Sequence, residues 1–316
     1  MTVGLNRELV WLFGGVLALL VVGSSIAAVL SRRTTSETGR AVVQNLAARM
    51  RAWWVMCGVF ALTLALGRAG SLALFGFLSF LALREFITLT RTHRADHRTL
   101  FWAFFVFTPL QYWLVGVQWY GMFALLIPVY AFLFVSARVA VAGDTQRFLE
   151  RVAEIHFGLM LCVFAVSHAP ALLMLDIRGY EGRNASLLMF LVLVAQMSDV
   201  LQYVWGKLSG RHRIAPTVSP NKTVEGFVGG VSTAVLIGTG LWWATPFSPL
   251  AAAGMSLAIA LMGFLGGLVM SAVKRDRGVK DFGSVIEGHG GILDRIDSIC
   301  FAAPVFFHLT RYFYTP

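Results

Sequence analysis

The sequence predicts an all-α, polytopic integral membrane protein with about ten transmembrane helices. Apolar residues make up 57% of the 316 residues and charged residues only 13%, a composition typical of membrane proteins. Ten apolar runs each approach the roughly 20 residues that a helix needs to span a bilayer. These runs lie near 9–30, 52–67, 69–89, 99–117, 119–137, 155–175, 185–207, 226–244, 249–273 and 297–314.

The first apolar run is predicted to be a retained helix. Small residues near Ser25 and Ala28 would also suit a signal peptide, but the run is longer than a usual signal core, and Arg32 and Arg33 follow it directly. The basic stretch 31–51 that comes next has two interpretations. It is either an amphipathic helix on the anionic surface of the leaflet or a solvated connector.

The distribution of Lys and Arg predicts the orientation in the membrane. If the N-terminus lies outside, 20 of the 26 cations fall in loops on the cytoplasmic side and five in loops on the other side. Cytoplasmic loops carry such an excess, so we predict that both termini lie outside. The net charge of +10 reflects this bias, and we predict no nucleic-acid partner. Short loops without added soluble domains favour a bacterial inner membrane.

The second and third spans also lead to predictions. The second and third spans are predicted to be joined by a tight turn at residues 67–70. Arg84 and Glu85 end the third span, where both snorkel to the interface or Glu85 reaches the functional site.

The three cysteines lie in apolar runs without CxxC spacing, which predicts buried small side chains rather than metal ligands or disulfides.

Residues 196–230 combine an intramembrane acid with a basic turn. Asp199 lies inside an apolar helix and needs a partner, either a metal or cation of a functional site or the nearby Lys207 or Arg211. Ser219 followed by Pro220 is typical of a helix N-cap and first helical residue.

That cap would put Lys222 in the first turn of the next helix, where a bound phosphate would compensate its charge. Three glycines that follow indicate close helix packing rather than ligand contacts. They are Gly226, Gly229 and Gly230.

Residues 271–298 form the most charged stretch of the chain. Charge beside a bilayer core is costly, so a dense cluster there is a functional candidate. The stretch holds cations for phosphate oxygens, glycines that let backbone approach a ligand, and carboxylates that suit a hard metal ion. Asp294 and Asp297 are three residues apart, so a helix here would place both on one face.

The charged stretch resembles the signature of the phosphatidate cytidylyltransferases, also called CDP-diacylglycerol synthases. That signature reads S-x-x-K-R, four residues, K-D, a Gly-rich turn with H-G-G, two residues and D-R-x-D. The positions in register are Ser271, Lys274, Arg275, Lys280, Asp281, Gly283, His289, Gly290, Gly291, Asp294, Arg295 and Asp297. Residues 196–226 are similar to the same family at Asp199, Tyr203, Gly206, Lys207, Ser219, Pro220, Lys222, Thr223 and Gly226.

The resemblance implies transfer of a cytidylyl group from CTP to phosphatidic acid or a related lipid phosphate, giving CDP-diacylglycerol and pyrophosphate. It implies Mg²⁺ as the cofactor, K⁺ as a candidate second ion, and a homodimer among membrane lipids. The metal-ligand candidates are Asp199, Asp294, Asp297 and Asp281. The catalytic candidates are Lys222, Lys274, Arg275, Lys280, Arg295 and His289, the last as a hydrogen-bond donor or turn-former. The substrate-binding candidates are Ser219, Asn221, Thr223, Ser271, Gly290 and Gly291.

The chain also departs from the family pattern. The family reads G-D-L-x-E-S before K-R, and its Asp, a metal-ligand candidate, is replaced here by Gly267. Glu287 stands where Pro or Gly is usual, and bulkier residues follow Asp199 at positions 200–202. These changes predict a divergent branch of the family. They also leave open a homologue that binds lipid phosphate and nucleotide without turnover.

The organisation predicted for the chain is one polytopic domain over residues 1–316. Its parts are an extra N-terminal helix with a basic connector at 1–51, an N-terminal helical bundle at 52–195, and catalytic helices with cytoplasmic loops at 196–314.

Overall fold

The computed structural model describes residues 6–33, 36–283 and 290–316. Within these residues the chain forms ten helices of 17 residues or more, a one-turn 3-10 helix at Trp242–Ala244 and one short antiparallel β-hairpin. The helices before the hairpin are α1 (Arg7–Arg33), α2 (Glu37–Ala65), α3 (Gly67–Thr88), α4 (Arg94–Gly116), α5 (Tyr120–Val141), α6 (Phe148–Met174) and α7 (Asn184–Ser209). The hairpin is β1 (Arg213–Ala215) and β2 (Ser219–Thr223), and the last helices are α8 (Val224–Gly240), α9 (Pro249–Asp276) and α10 (Leu293–Tyr314).

Seven of these ten helices are long and apolar enough to cross a membrane, namely α1, α3 to α7 and α9. Helix α8 is apolar but shorter, with 17 residues. The predicted class, an all-α polytopic membrane protein, is confirmed. Helix α6 is the most buried of the seven spans, so it forms the centre of the bundle.

Short polar and glycine positions set the helix boundaries. The Ser36 hydroxyl accepts a hydrogen bond from Gly39 N at the start of α2, and Ser248 caps α9 just before Pro249. Only Leu66 separates α2 from α3, and Gly67 adopts a φ of +78°, a conformation that glycine reaches without strain. The turn therefore comes earlier than the predicted residues 67–70.

The basic stretch after the first span is part of a long helix. Residues 37–51 are helical, as the amphipathic-helix interpretation requires, and continue without a break into the second apolar run as α2. Helices α1 and α2 pack antiparallel, with Trp54 Nε1 donating to Ser24 Oγ at 3.0 Å. The position of residues 37–51 on a leaflet surface stays a prediction.

The last four helices approach each other closely because glycines lie at the crossings. A Cβ atom on Gly230 would lie 2.4 Å from Gln202 Cγ, and one on Gly229 would lie 2.6 Å from the Trp205 ring. A Cβ atom on Gly266 would lie 2.6 Å from the Asp297 carbonyl oxygen. Helices α7 and α8, and α9 and α10, therefore pack almost backbone to backbone, as glycines permit in membranes.

Candidate active site

Three charged side chains from separate elements meet between the last four helices. Asp199 of α7 interacts electrostatically with Asp297 of α10 and with Lys222 of β2. Burial lowers the pKa of Lys222 from its ordinary value, while the charges of Asp199 and Asp297 act in the opposite direction. We refer to Asp199, Lys222 and Asp297 as the central cluster.

Lys222 is held against α9. Its Nζ atom donates to the Phe264 carbonyl oxygen at 3.2 Å and lies 4.6 Å from the centre of the Phe264 ring. A Cβ atom on Gly267 would lie 2.9 Å from Lys222 Nζ and 3.8 Å from Asp297 Oδ2. The position where the family carries an acid therefore borders the central cluster directly.

The strand that carries Lys222 corrects the predicted helix cap. Residues 219–223 pair with Arg213–Ala215 as a β-strand, so Ser219 is not an N-cap and Lys222 is not in the first turn of α8. Thr223 is the N-cap, and its hydroxyl accepts a hydrogen bond from Gly226 N at 3.1 Å. Ser219 is half-buried and Asn221 is exposed.

Asp294 organises the charged loop between α9 and α10. Its Oδ1 atom accepts a hydrogen bond from Lys274 Nζ at 2.8 Å, and its Oδ2 atom accepts from Phe282 N at 2.8 Å and Gly291 N at 3.0 Å. These three bonds use most of the lone pairs of the carboxylate. Lys274 and Asp294 thus form a buried ion pair that fixes both ends of the loop.

Glu85 reaches this loop from the end of α3. Its carboxylate, only 8% exposed, accepts hydrogen bonds from Ile292 N and Leu293 N, both at 2.9 Å. It therefore caps the start of α10, where backbone N–H groups lack partners within the helix. Glu85 therefore does not snorkel to the interface but reaches the charged loop, whereas Arg84 is exposed.

Glycines in the loop make room for the Glu85 carboxylate. A Cβ atom on Gly291 would lie 2.4 Å from Glu85 Oε2, and one on Gly283 would lie 2.8 Å from Glu85 Oε1. Gly290 adopts a φ of +83°. Two predicted substrate-binding positions, Gly290 and Gly291, therefore already have structural reasons to be glycine.

The other predicted cations differ in position. Arg275 is exposed and donates from Nε to the Val218 carbonyl oxygen at 3.3 Å, which links the end of α9 to the β-hairpin. Lys280 is exposed on the loop. Arg295 is half-buried and interacts with Asp294, Asp297, Asp199 and, across from α2, Arg49. Arg295 therefore lies within electrostatic reach of both carboxylates of the central cluster.

The remaining predicted residues are less closely tied to the centre. Asp281 is exposed beside Gly290, and Ser271 Oγ donates to the Gly267 carbonyl oxygen at 2.6 Å within α9. His289 and Glu287 lie outside the described residues. The predicted role of His289 therefore stays a prediction.

Two acids that could have replaced the missing carboxylate are engaged elsewhere. Glu225 accepts hydrogen bonds from the backbone N–H groups of Arg211 and His212 at the start of β1. Asp276 is exposed and pairs with Arg277 at 3.2 Å. Neither lies in the central cluster.

The two carboxylates of the central cluster are of the kind that binds a divalent ion. No group of three or more His, Cys, Asp or Glu side chains able to hold a metal occurs in residues 6–33, 36–283 and 290–316. Asp199 and Asp297 nevertheless provide two half-buried carboxylates that interact electrostatically. Mg²⁺ commonly binds through one or two carboxylates and completes its shell with water and substrate phosphates. The donor set therefore fits Mg²⁺ held partly by a phosphate-bearing substrate.

Comparison with known proteins identifies the family to which the chain belongs. The chain belongs to the cytidylyltransferase family, whose sequence profile matches residues 47–313. It is 41% identical over 312 residues to the uncharacterized protein YnbB of Escherichia coli (strain K12), covering 98% of this chain and 99% of that protein.

Relatives with named activities match over shorter regions. The phosphatidate cytidylyltransferase of Staphylococcus aureus (strain COL) is 39% identical over 130 residues, or 40% of this chain and 50% of that protein. The phosphatidate cytidylyltransferase of Staphylococcus epidermidis (strain ATCC 35984) is 30% identical over 205 residues, 61% of this chain and 69% of that protein. The resemblance predicted from the motifs is confirmed.

Proposed function

We propose that the protein transfers the cytidylyl group of CTP to phosphatidic acid or a related lipid phosphate, releasing pyrophosphate. Family membership supports a cytidylyltransferase, and the staphylococcal relatives carry the name phosphatidate cytidylyltransferase. The observation that carries the proposal is the central cluster. A half-buried ammonium group that interacts with two carboxylates suits phosphates and the cation that accompanies them.

In the proposed reaction an oxygen of the lipid phosphate attacks the α-phosphorus of CTP. A new P–O bond forms, the bond to the β-phosphate oxygen breaks, and pyrophosphate leaves with its electron pair. A lipid phosphate is already ionised near neutral pH, so the step needs no general base. The protein contributes by holding several negative charges in line in a site with little water.

Each charged residue has a proposed task. Asp199 and Asp297 would hold Mg²⁺, which would stabilise the charge of the leaving pyrophosphate. Lys222 and Arg295 would bind phosphate oxygens at the central cluster, because Lys222 belongs to it and Arg295 interacts with both of its carboxylates. Lys280 and Arg275 would meet the nucleotide at the exposed rim, and the hydrogen-bond donor role of His289 stays a prediction.

The proposed setting is a bacterial inner membrane with the charged loop in the cytoplasm, where CTP is available. The chain has several apolar helices able to span a membrane, which supports an integral membrane protein. Orientation follows from the excess of Lys and Arg in the loops at this end. A homodimer and a second ion such as K⁺ remain part of the proposal.

A non-catalytic homologue is the second candidate function, and Gly267 is the observation that favours it. With no side chain at this position, the central cluster lacks the third acid of the family pattern. Such a protein would bind the lipid phosphate and nucleotide but leave both unchanged.

Replacing Gly267 by Asp tests whether the missing acid limits the site. We expect Gly267→Asp to raise transfer and to lower by about tenfold the Mg²⁺ concentration that gives half-maximal rate, because an added carboxylate strengthens metal binding. The new Cβ atom would come closer than 3 Å only to the flexible end of Lys222, with Asp297 Oδ2 at 3.8 Å. Gly267→Ala is the matched control, since it adds the Cβ atom without charge. Equal Mg²⁺ dependence in the two variants would contradict the prediction.

A transfer assay with purified protein tests the proposed activity. Detergent-solubilised protein would receive labelled CTP, phosphatidic acid and Mg²⁺, with ATP, GTP and UTP as competing nucleotides. We expect label in the lipid, competition by unlabelled CTP alone, and loss of transfer in Lys222→Ala and Asp294→Ala. Binding of CTP and lipid without transfer by the wild type would favour the non-catalytic homologue instead.

A further inference from the structure

A pocket separate from the central cluster opens at the same end of the helix bundle. It has a volume of about 630 Å³ and lies between the start of α4 and the end of α5. Helix α3 carries Glu85 to the charged loop and ends at Thr88, and α4 begins six residues later, which places the pocket at this end. Its lining includes Arg94, Arg98, Arg138, Phe134, Ala137 and Val141.

Three arginines converge on this pocket. Arg94 and Arg98 are four residues apart on one continuous helix and share a face, where like charges repel each other. Arg138 approaches from α5. In the described part of the chain none of the three forms a salt bridge. A bound anion would relieve the repulsion among them.

The acids of the surrounding elements already have other partners. Asp96 binds Arg151 at 2.8 Å, and Asp144 contacts both His93 at 2.8 Å and Arg151 at 3.2 Å. Glu150 pairs with Arg147. The pocket therefore presents positive charge that the neighbouring carboxylates do not neutralise. A positive-inside bias puts cations on one side of the membrane but does not require three of them to line one pocket.

A buried ion pair fixes the start of α4, so the pocket is built in advance of any ligand. Asp96 is fully buried and Arg151 is 2% exposed. Arg151 also donates to the carbonyl oxygens of Asp144 and Gln146, at 3.0 and 2.8 Å, which ties the start of α4 to the loop before α6. Arg94 and Arg98 flank Asp96, so this anchor holds both arginines in place.

The wall of the pocket continues into apolar surface. The Phe134 ring packs against Trp102 and Phe107, with ring centres 5.0 and 5.5 Å apart. Phe101 and Phe105 on α4 are 56% and 59% exposed, as expected for side chains that face lipid. We infer that this pocket binds the phosphate head group of an anionic phospholipid, whose acyl chains lie along the apolar surface of α4 and α5.

Native mass spectrometry of the full chain in detergent tests this site. Phosphatidylglycerol or phosphatidylcholine with the same acyl chains would be titrated onto wild type and onto the variant Arg94→Gln/Arg98→Gln/Arg138→Gln. We expect the variant to bind the first phosphatidylglycerol at least about tenfold more weakly, because each basic residue near a membrane surface contributes to anionic-lipid binding. Binding of phosphatidylcholine should not change.

The matched control removes three exposed arginines at the opposite end of the bundle, as Arg7→Gln/Arg68→Gln/Arg178→Gln. It should bind phosphatidylglycerol as the wild type does. The proposed lipid site would be contradicted if the pocket variant bound phosphatidylglycerol as tightly as the wild type. It would also be contradicted if the control lost as much phosphatidylglycerol affinity as the pocket variant. Displacement of the lipid by millimolar inorganic phosphate would overturn the lipid assignment, since the pocket would then recognise phosphate alone.

Folding of the triple variant is checked by its melting temperature in phosphatidylcholine. If that variant does not fold, Arg138→Gln alone replaces it. A single lost cation should still weaken phosphatidylglycerol binding about threefold or more. Unchanged binding in Arg138→Gln, compared with wild type, would count against the site in the same way.

Discussion

Asp297→Asn is expected to lower cytidylyl transfer at least about 100-fold, the effect typical of removing one group that stabilises developing charge in an active site. Asp297 is the acid that lies next to both Asp199 and Lys222. The amide that replaces it has nearly the same shape but carries no charge. Binding of Mg²⁺ should weaken with the rate, because only Asp199 would remain as a carboxylate in the central cluster.

The control for this variant is Asp276→Asn, which removes an exposed acid at the end of α9. Its rate should stay near that of wild type. The melting temperature of each variant separates a loss of chemistry from a loss of folding. A rate for Asp297→Asn within about threefold of wild type would contradict a role for Asp297 in the transition state.

Glu85→Ala is expected to destabilise the protein by about 2–6 kcal/mol, because each buried N–H group left without a partner costs about 1–3 kcal/mol. Two such groups, Ile292 N and Leu293 N, lose their acceptor. The start of α10 and the loop before it would then no longer hold Asp294 and Asp297 in position. We therefore expect a lower melting temperature together with a large loss of transfer.

Two further variants make this prediction specific. Glu85→Gln keeps one acceptor oxygen but turns an amide donor toward the second N–H group. Its melting temperature should therefore lie between those of wild type and Glu85→Ala. Arg84→Ala changes the exposed neighbour and should melt as the wild type does. A Glu85→Ala protein with wild-type melting temperature would show that Glu85 does not stabilise α10.

The centre of the candidate site was largely predictable from the sequence. Asp199, Lys222 and Asp297 come from two motif regions, and an acid inside an apolar run already indicates a partner nearby. The D-R-I-D segment proved helical, as the shared face of Asp294 and Asp297 requires. In the structure the two carboxylates nevertheless have different partners. Asp294 accepts hydrogen bonds from the loop, whereas Asp297 lies near Lys222.

What the sequence leaves open or predicts wrongly depends on tertiary contacts and on strand pairing. Glu85 bonds to residues more than 200 positions away, and no local pattern encodes that meeting. The only signal was a carboxylate at the end of an apolar helix. The pair Ser219-Pro220 is typical of a helix cap, but residues 219–223 are extended because they pair with β1. The N-cap of α8 is Thr223 instead.

The measurement that tests the central claim most directly follows the two ends of the CTP triphosphate. Purified protein would receive phosphatidic acid, Mg²⁺ and CTP labelled on either the α- or the γ-phosphate. We predict that the α-label enters the lipid while the γ-label leaves in an equal amount of pyrophosphate, and that Asp297→Asn abolishes both. Label from the γ-phosphate in the lipid, or no lipid label from protein that still binds CTP, would contradict cytidylyl transfer.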